Sequence, residues 1–258
     1  MRGRWELTDE QWEVVEPVLR PQRRADKRGR PWHDTRAVLH GVLWVLGTGA
    51  QWRELPEKYP PFQTCHRRFQ QWVQNGKLEE CLRRLARHLH ERGQLNLEEA
   101  FVDATFASAK KGASAFGPTR RGKGTKIVAI AARNSLPLAV SVQSASPAEC
   151  QLVEEVLAGS FLDELPARLI GDKAYDSDGL DKKLAQEYAI ELIAPNRQRR
   201  SKSQDGRKLR RYRRRWKVER LFAWMHNFRR LVTRWEYHIE NFLGFVHLAC
   251  LHLMLRHL

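Results

Sequence analysis

The stretch 98-EEAFVDATFASA-109 is where the chain changes character. Up to Leu97 apolar residues return every three or four positions; from here they alternate around Phe101 and Asp103 with a period of two, the pattern of a half-buried strand. Two more such stretches follow, 125-TKIVAIAAR-133 and 137-PLAVSVQSA-145, joined by Asn134-Ser135-Leu136, a connection of hairpin length. Three antiparallel strands are therefore predicted. Beyond them helix and strand alternate. Pro147 stands in the first turn of a helix over 147–160, then come a strand over 167–175, a helix near 178–188 and a strand over 189–196. Two helices close the chain, from about Lys208 to Trp235 and from Ile239 to Leu255. That order predicts a mixed α/β sheet layered with helices, not a doubly wound dinucleotide fold. No GxGxxG or GxxxxGKS/T loop occurs to cradle a phosphate.

Residues before the change read as helical throughout. Thr8 can cap a helix running 9-DEQWEVVEPVLR-20, with Pro17 bending it or confining its last turn. Asp34 or Thr35 can start 36-RAVLHGVLWVLGTG-49, which Gly47 and Gly49 stop. After 56-PEKYPPF-62 breaks the chain, 63-QTCHRRFQQWVQNG-76 and 77-KLEECLRRLARHLHERG-93 supply two more helices. Arg67, Arg68 and Gln71, read as exposed beside Phe69 and Trp72, suggest a helix-turn-helix arrangement. The chain divides on this reading into a helical region, 1–95, and a mixed α/β region, 96–258.

Length and composition bound the function. At 258 residues and 42% hydrophobic content the chain can bury a full core. No run of about eighteen apolar residues appears, and 1-MRGRWELTDE-10 lacks the apolar centre of a signal peptide; a soluble, cytoplasmic protein with no membrane partner is expected. The four cysteines are scattered, which excludes a close CxxC zinc site and a disulfide scaffold and suggests buried thiols. Net charge is +16, and the segment from Arg197 to Arg220 holds thirteen Lys/Arg against Asp205 and Glu219. A second basic cluster, 20-RPQRRADKRGRPWHDTR-36, contains Arg28 and Arg30. Two basic stretches interleaved with aromatic residues, without a long apolar face, fit nucleic acid better than lipid.

Three acids stand out against that background. Asp103 sits in mid-strand among Phe101, Val102, Ala104 and Phe106, where a carboxylate is costly unless something compensates its desolvation. Asp172 directly follows Leu169-Ile170-Gly171 at the carboxyl end of the fourth strand, the side on which open sheets gather ligands. If that strand pairs with the first, the two carboxylates become neighbours, and a divalent cation is the usual remedy for their repulsion. Glu219 is the one acid in 211-RYRRRWKVERLFAWMHNFRR-230. It shares a helix face with Tyr212, Arg215 and His226, while Val218, Leu221, Phe222 and Met225 form an apolar one. An all-oxygen set suits Mg²⁺ or Mn²⁺, and a two-metal site acts on phosphodiesters. Singly, each acid also reads as a turn residue, a hydrogen-bonded core acid or a salt-bridge partner; Asp176 reads as a turn or cap residue.

The segments 101-FVDATFASAKKG-112, 171-GDKAYDSDGL-180 and 212-YRRRWKVERLFAWMHNFRRL-231 resemble the three catalytic blocks of DDE transposases of the insertion sequence 5 family. The stretches 7-LTDEQWEVVEPVLRP-21, 28–56 and 62-FQTCHRRFQQW-72 resemble that family's helical N-terminal region, so the resemblance spans nearly the whole chain. It implies an RNase H-like catalytic domain over 96–258 behind a DNA-binding region over 1–95, two Mg²⁺ ions (or Mn²⁺) per site, and a nucleoid-associated bacterial protein. Its substrate would be double-stranded DNA with terminal inverted repeats, bound by a homodimer. Carried over residue by residue, the acids are Asp103, Asp172 and Glu219, and Tyr212, Arg215 and Glu219 match the Y-x2-R-x3-E-x6-K signature, whose Lys position holds His226. A His there contacts phosphate only as a weaker, pH-dependent cation. On this reading Arg215 and Lys126 clamp phosphates, Arg213, Arg214 and Lys217 hold the flanking backbone, and Arg28, Arg30, Arg67 and Arg68 extend the DNA contact. Trp216 can stack on an unpaired base, with Trp224 better suited to the core. A nuclease that cuts without joining, or a DNA-binding protein that has lost its chemistry, are the alternatives.

Overall fold

The computed structural model describes residues 3–21, 31–110, 114, 117–119, 122–197, 204 and 206–258. Arg28 and Arg30, two of the expected DNA contacts, lie outside the described residues.

Four helices open the chain: α1 (Asp9–Leu19), α2 (Thr35–Thr48), α3 (Phe62–Gln74) and α4 (Lys77–Glu91). The expected caps form. The Gln11 amide donates to Thr8 Oγ1 at 3.1 Å while the Thr8 amide donates to Gln11 Oε1 at 3.0 Å, a reciprocal capping box. Asp34 Oδ1 accepts from the Ala37 amide at 2.9 Å, and Gly49 ends α2 in the left-handed region, with φ +70°. Pro17 falls in the last turn of α1, where it costs the helix only its own bond back to Glu13, and the Arg20 amide still closes the turn onto the Glu16 carbonyl.

The sheet follows: β1 (Ala100–Ala109), β2 (Gly117–Thr119), β3 (Gly122–Ala132) and β4 (Pro137–Ser144), then α5 (Val153–Ala158), β5 (Arg168–Ile170), α6 (Asp178–Glu187) and β6 (Glu191–Ile193). The C-terminal part is α7 (Gly206–Leu209), α8 (Trp216–Met225), α9 (Arg229–Val232), β7 (Thr233–Arg234) and α10 (Ile239–Met254). The strands β6, β5, β1, β3 and β4 lie side by side in that order, with β5 parallel to β1 and to β6, and β3 antiparallel to its neighbours. This is the expected RNase H-like mixed sheet.

Details depart from the periodicity. The helix expected over 147–160 begins only at Val153, preceded by a 3-10 turn, Glu149–Gln151. The fourth strand stops at Ile170, because the chain turns at once into a 3-10 turn, Lys173–Tyr175. The single helix expected from Lys208 to Trp235 is segmented. It breaks after Met225, where buried Phe228 draws the chain inward, and β7 then adds to the end of β1 at Ser108 and Ala109. Side-chain periodicity carries no trace of these breaks, since the apolar residues on both sides remain buried.

One core runs from Leu7 to Leu255. The helix α10 joins its halves, lying against α4, α3 and α2 on one side and β4 on the other. Close approach depends on Gly244, where a Cβ would fall 2.3 Å from Val73 Cγ2. Free thiols Cys65, Cys81 and Cys250 are buried in this core, as expected, whereas Cys150, in the turn before α5, is only partly buried, and no described helix is long and apolar enough to cross a membrane.

Burial also pushes imidazoles of this core down, His40 and His66 below the ordinary value and His247 to about 4. Below pH 6.5 the unfolded chain therefore takes up protons that the native chain refuses, so stability is expected to fall between pH 6.5 and 4. Denaturant midpoints recorded across that range check this; His247→Phe should flatten the slope.

Candidate active site and metal centre

The register of two strands builds the site. In the parallel pair of β1 and β5, Ala100 faces Leu169 and Phe101 faces Ile170. Two residues further along each chain come Asp103, still in β1 and on the same side of the pleat as Phe101, and Asp172, just past the end of β5. Asp103 faces Ala129 on β3, a small partner that leaves room above it. The Asp172 side chain turns back to cap the Lys173–Tyr175 turn, accepting from the Ala174 amide at 2.7 Å, so it is both a cap and a neighbour of Asp103.

Glu219, in the first turn of α8, joins them through Arg215. One guanidinium nitrogen of Arg215 donates to Asp103 Oδ2 at 2.7 Å and the other is hydrogen-bonded to Glu219 Oε1. Arg215 also lies over the Tyr212 ring, 5.7 Å from its centroid. Of the four residues read as one helix face, Tyr212 and Glu219 thus both meet Arg215, although Tyr212 belongs to a 3-10 turn, Arg210–Arg214, that precedes α8. His226 caps the far end of α8 with Nε2 3.5 Å from Thr105 Oγ1, and burial pushes its pKa down, so it is mainly neutral at pH 7.

Electrostatics mark Asp103 as the centre. Its burial pushes the carboxyl above the ordinary range, and the charges of Asp172 and Glu219 push it further; the Ala104 amide and Arg215 pull it back. Among the described residues no three His, Cys, Asp or Glu side chains converge into a finished metal cage. The donor chemistry nonetheless fits a hard divalent cation, because Asp103, Asp172 and Glu219 offer only oxygens.

Three groups beside these acids take places that the sequence does not show. Lys126, expected to clamp phosphate, points inward: its Nζ donates to the Pro147 carbonyl at 2.8 Å and lies 3.7 Å from Glu149 Oε1. Glu149 reads in the sequence as one more acid at a helix start. Tyr175 is fully buried and, among the described residues, its hydroxyl has no hydrogen-bond partner, while the charges of Glu149, Asp103 and Asp172 act on it.

The arginines separate into two kinds. Arg214, expected on the DNA backbone, is held by buried Glu99, its Nη2 2.6 and 2.7 Å from the two carboxylate oxygens, and Arg211 joins it at 2.7 Å. Arg68, expected to be exposed, is 6% exposed and donates to the Leu19 carbonyl at 3.2 Å between the rings of Trp32 and Trp72. Partners distant in sequence explain both: Leu19 and Trp32 bury Arg68, and Glu99 holds the Arg214 guanidinium although its side chain stays 37% exposed. Arg213 and Arg67 remain exposed. Lys217 lies over the Trp216 ring, Trp216 is 48% exposed, and Trp224 packs partly into the core. Asp176 is a buried anchor for the Arg197 amide, 2.8 Å away.

Comparison with known families agrees with this geometry. The model described as "Transposase DDE domain" matches residues 96–254. The chain belongs to this family. A second model, described as "Putative transposase of IS4/5 family", matches residues 7–82. The uncharacterized 16.2 kDa protein of insertion element IS402 from Burkholderia cepacia is 33% identical over 44% of this chain and 80% of its own length. A protein of Brucella ovis described as "Putative transposase for insertion sequence element IS6501" is 31% identical over 51% of this chain and 98% of its own. Among solved structures, the Mos1 strand transfer complex shows 8% identity over 80% of this chain and 79% of that chain, with a TM-score of 0.28, too weak a likeness to place any residue. This DDE transposase is thus a metal-dependent enzyme of DNA cleavage and transfer, and its DNA partner accounts for a charge of +16.

Proposed function

We propose that this transposase binds the terminal inverted repeats of an insertion sequence, cleaves the phosphodiester at each element end and joins the freed 3′-hydroxyl to target DNA. Asp103, Asp172 and Glu219 are the carboxylates that hold two Mg²⁺ ions, with Mn²⁺ able to replace them. The observation that carries this reading is the β1–β5 register, which makes Asp103 and Asp172 neighbours, with Arg215 tying Glu219 to them. When bound, the ions supply Lewis-acid activation of the attacking oxygen and stabilisation of the leaving one.

The chain's own residues do the rest. Asp103, half-buried on a central strand, keeps its carboxylate fixed by the Ala104 amide, 2.8 Å away. Arg215 holds Asp103 and Glu219 at a set separation and, were those carboxylates to bind metal ions, its guanidinium would be available to a phosphate oxygen. His226, at the end of the same line, offers a neutral hydrogen bond where a Lys would offer charge. Arg213, Arg67 and Lys217 hold flanking phosphates and position the duplex without reading its sequence, while Trp216 stacks on an unpaired base near the cut. Residues 1–95 supply much of the end recognition, and two protomers pair two ends.

The test is a product assay with the full chain, an end-bearing duplex, a target plasmid and Mg²⁺. Joined end-target products are expected, from a complex whose mass contains two protomers. Cleavage without joined product would make the enzyme a nuclease of the same fold and overturn the reading.

A further inference from the structure

We infer that Glu149 is a fourth carboxylate of the metal site, held beside it by Lys126. The inference rests on the reading of Asp103 and Asp172 as metal ligands. Glu149 opens the Glu149–Gln151 turn between β4 and α5, and this turn packs against the Lys173–Tyr175 turn that Asp172 caps. Two chain segments far apart in sequence thus bring acids to one place. The Glu149 side chain is only 24% exposed, an expensive setting for a carboxylate that has no structural task. Burial pushes its carboxyl up, Lys126 pulls it back, and the charges of Asp103 and Asp172 push it further, which sets Glu149 within the electrostatic reach of both.

A simple salt bridge to Lys126 does not account for the arrangement. The Lys126 ammonium is closer to the Pro147 carbonyl, at 2.8 Å, than to Glu149, at 3.7 Å, so the carboxylate keeps acceptor capacity. The independent sign is Tyr175. Its hydroxyl is buried without a partner, and Glu149 is the first of the carboxylates acting on it, ahead of Asp103 and Asp172. A donor buried amid acids normally finds one, because leaving it unmade costs about 1–3 kcal/mol. Glu149, Asp103 and Asp172 all act on this phenol and none accepts from it, which leaves their oxygens available to the divalent cation that they would hold.

Mn²⁺ binding to the full chain without DNA, followed by the electron paramagnetic resonance of free Mn²⁺, tests this without any assay of activity. Glu149→Gln, which preserves shape and removes charge, should weaken Mn²⁺ binding by about tenfold or more. Lys126→Met removes the competing cation and should tighten binding, but not in the presence of Glu149→Gln. Should Glu149→Gln fail to fold, Glu149→Asp should show a smaller loss. Wild-type affinity in the Glu149 variants, with binding lost in Asp103→Asn, overturns the inference alone. Wild-type affinity in Asp103→Asn overturns the ligand reading itself and this inference with it.

Discussion

Asp172→Asn should lower the rate of end cleavage by at least about a thousandfold, equivalent to about 4 kcal/mol of transition-state stabilisation, while binding to an end-bearing duplex stays within a few-fold of wild type. The Asn variant is the informative one. Asp172 has a structural task as well, accepting the Ala174 amide at 2.7 Å, and Asn retains that cap whereas Ala forfeits about 1 kcal/mol with it. A rate loss in a protein of unchanged unfolding midpoint therefore belongs to the chemistry. Asp103→Asn and Glu219→Gln should behave alike, with Glu219→Gln the mildest in its effect on folding, since Glu219 is half-exposed. Arg213→Ala makes the contrast. Exposed and bound to no acid that the metal needs, it should weaken DNA binding and reduce the salt slope by about one, leaving the rate at saturating DNA untouched. Cleavage measured in single turnover decides; retained nicking by Asp172→Asn would remove Asp172 from the site.

Arg234→Ala should be strongly destabilising, costing about 3–5 kcal/mol. Arg234 is the largest fully buried side chain. Its guanidinium donates to the Glu236 carbonyl at 3.0 Å, the Tyr237 carbonyl at 2.8 Å and Thr125 Oγ1 at 2.9 Å, and lies over the Phe242 ring. It therefore locks β7, the start of α10 and β3 into one unit. Removal leaves three acceptors buried and a cavity where a long side chain had been. Guanidinium denaturation of the variant should show the midpoint falling at an unchanged slope. A midpoint within about 1 kcal/mol of wild type would mean that these contacts are made by water as readily as by Arg234.

The two expectations differ in how far the sequence reached. Asp103 was visible because an acid in the middle of an alternating apolar strand has few explanations. Asp172 was visible because it followed a short apolar strand, and Glu219 because it was the lone acid in a basic helix. Their meeting was conditional on β5 lying beside β1, and the register supplied that condition. Arg234 had no such visibility. In the sequence it is one more arginine after Leu231 and Val232, and only the addition of β7 to β1 buries it. The partners of Arg68 and Arg214 are hidden in the same way: Trp32 and the Leu19 carbonyl cover Arg68, and Glu99 holds Arg214, from far along the chain.

Local signals are those in which cause and effect lie within a few residues. Thr8 and Gln11, Asp34 and Ala37, the alternation of β1 and the turn at Asn134-Ser135 are of this kind, and by themselves they determined the start of α1 and α2, the three antiparallel strands and the class of the fold. The type of chemistry was also written locally, in oxygen ligands set within positive charge. The charge state and surroundings of each ionisable side chain were not. Arg214 meets Glu99 across 115 residues, Arg215 meets Asp103 across 112, and Lys126 meets Glu149 only because β4 returns the chain to the site. Desolvation depends on everything packed around a group, so the tertiary structure alone decided which cations face DNA, which hold the frame together, and which stand guard over the acids at the centre.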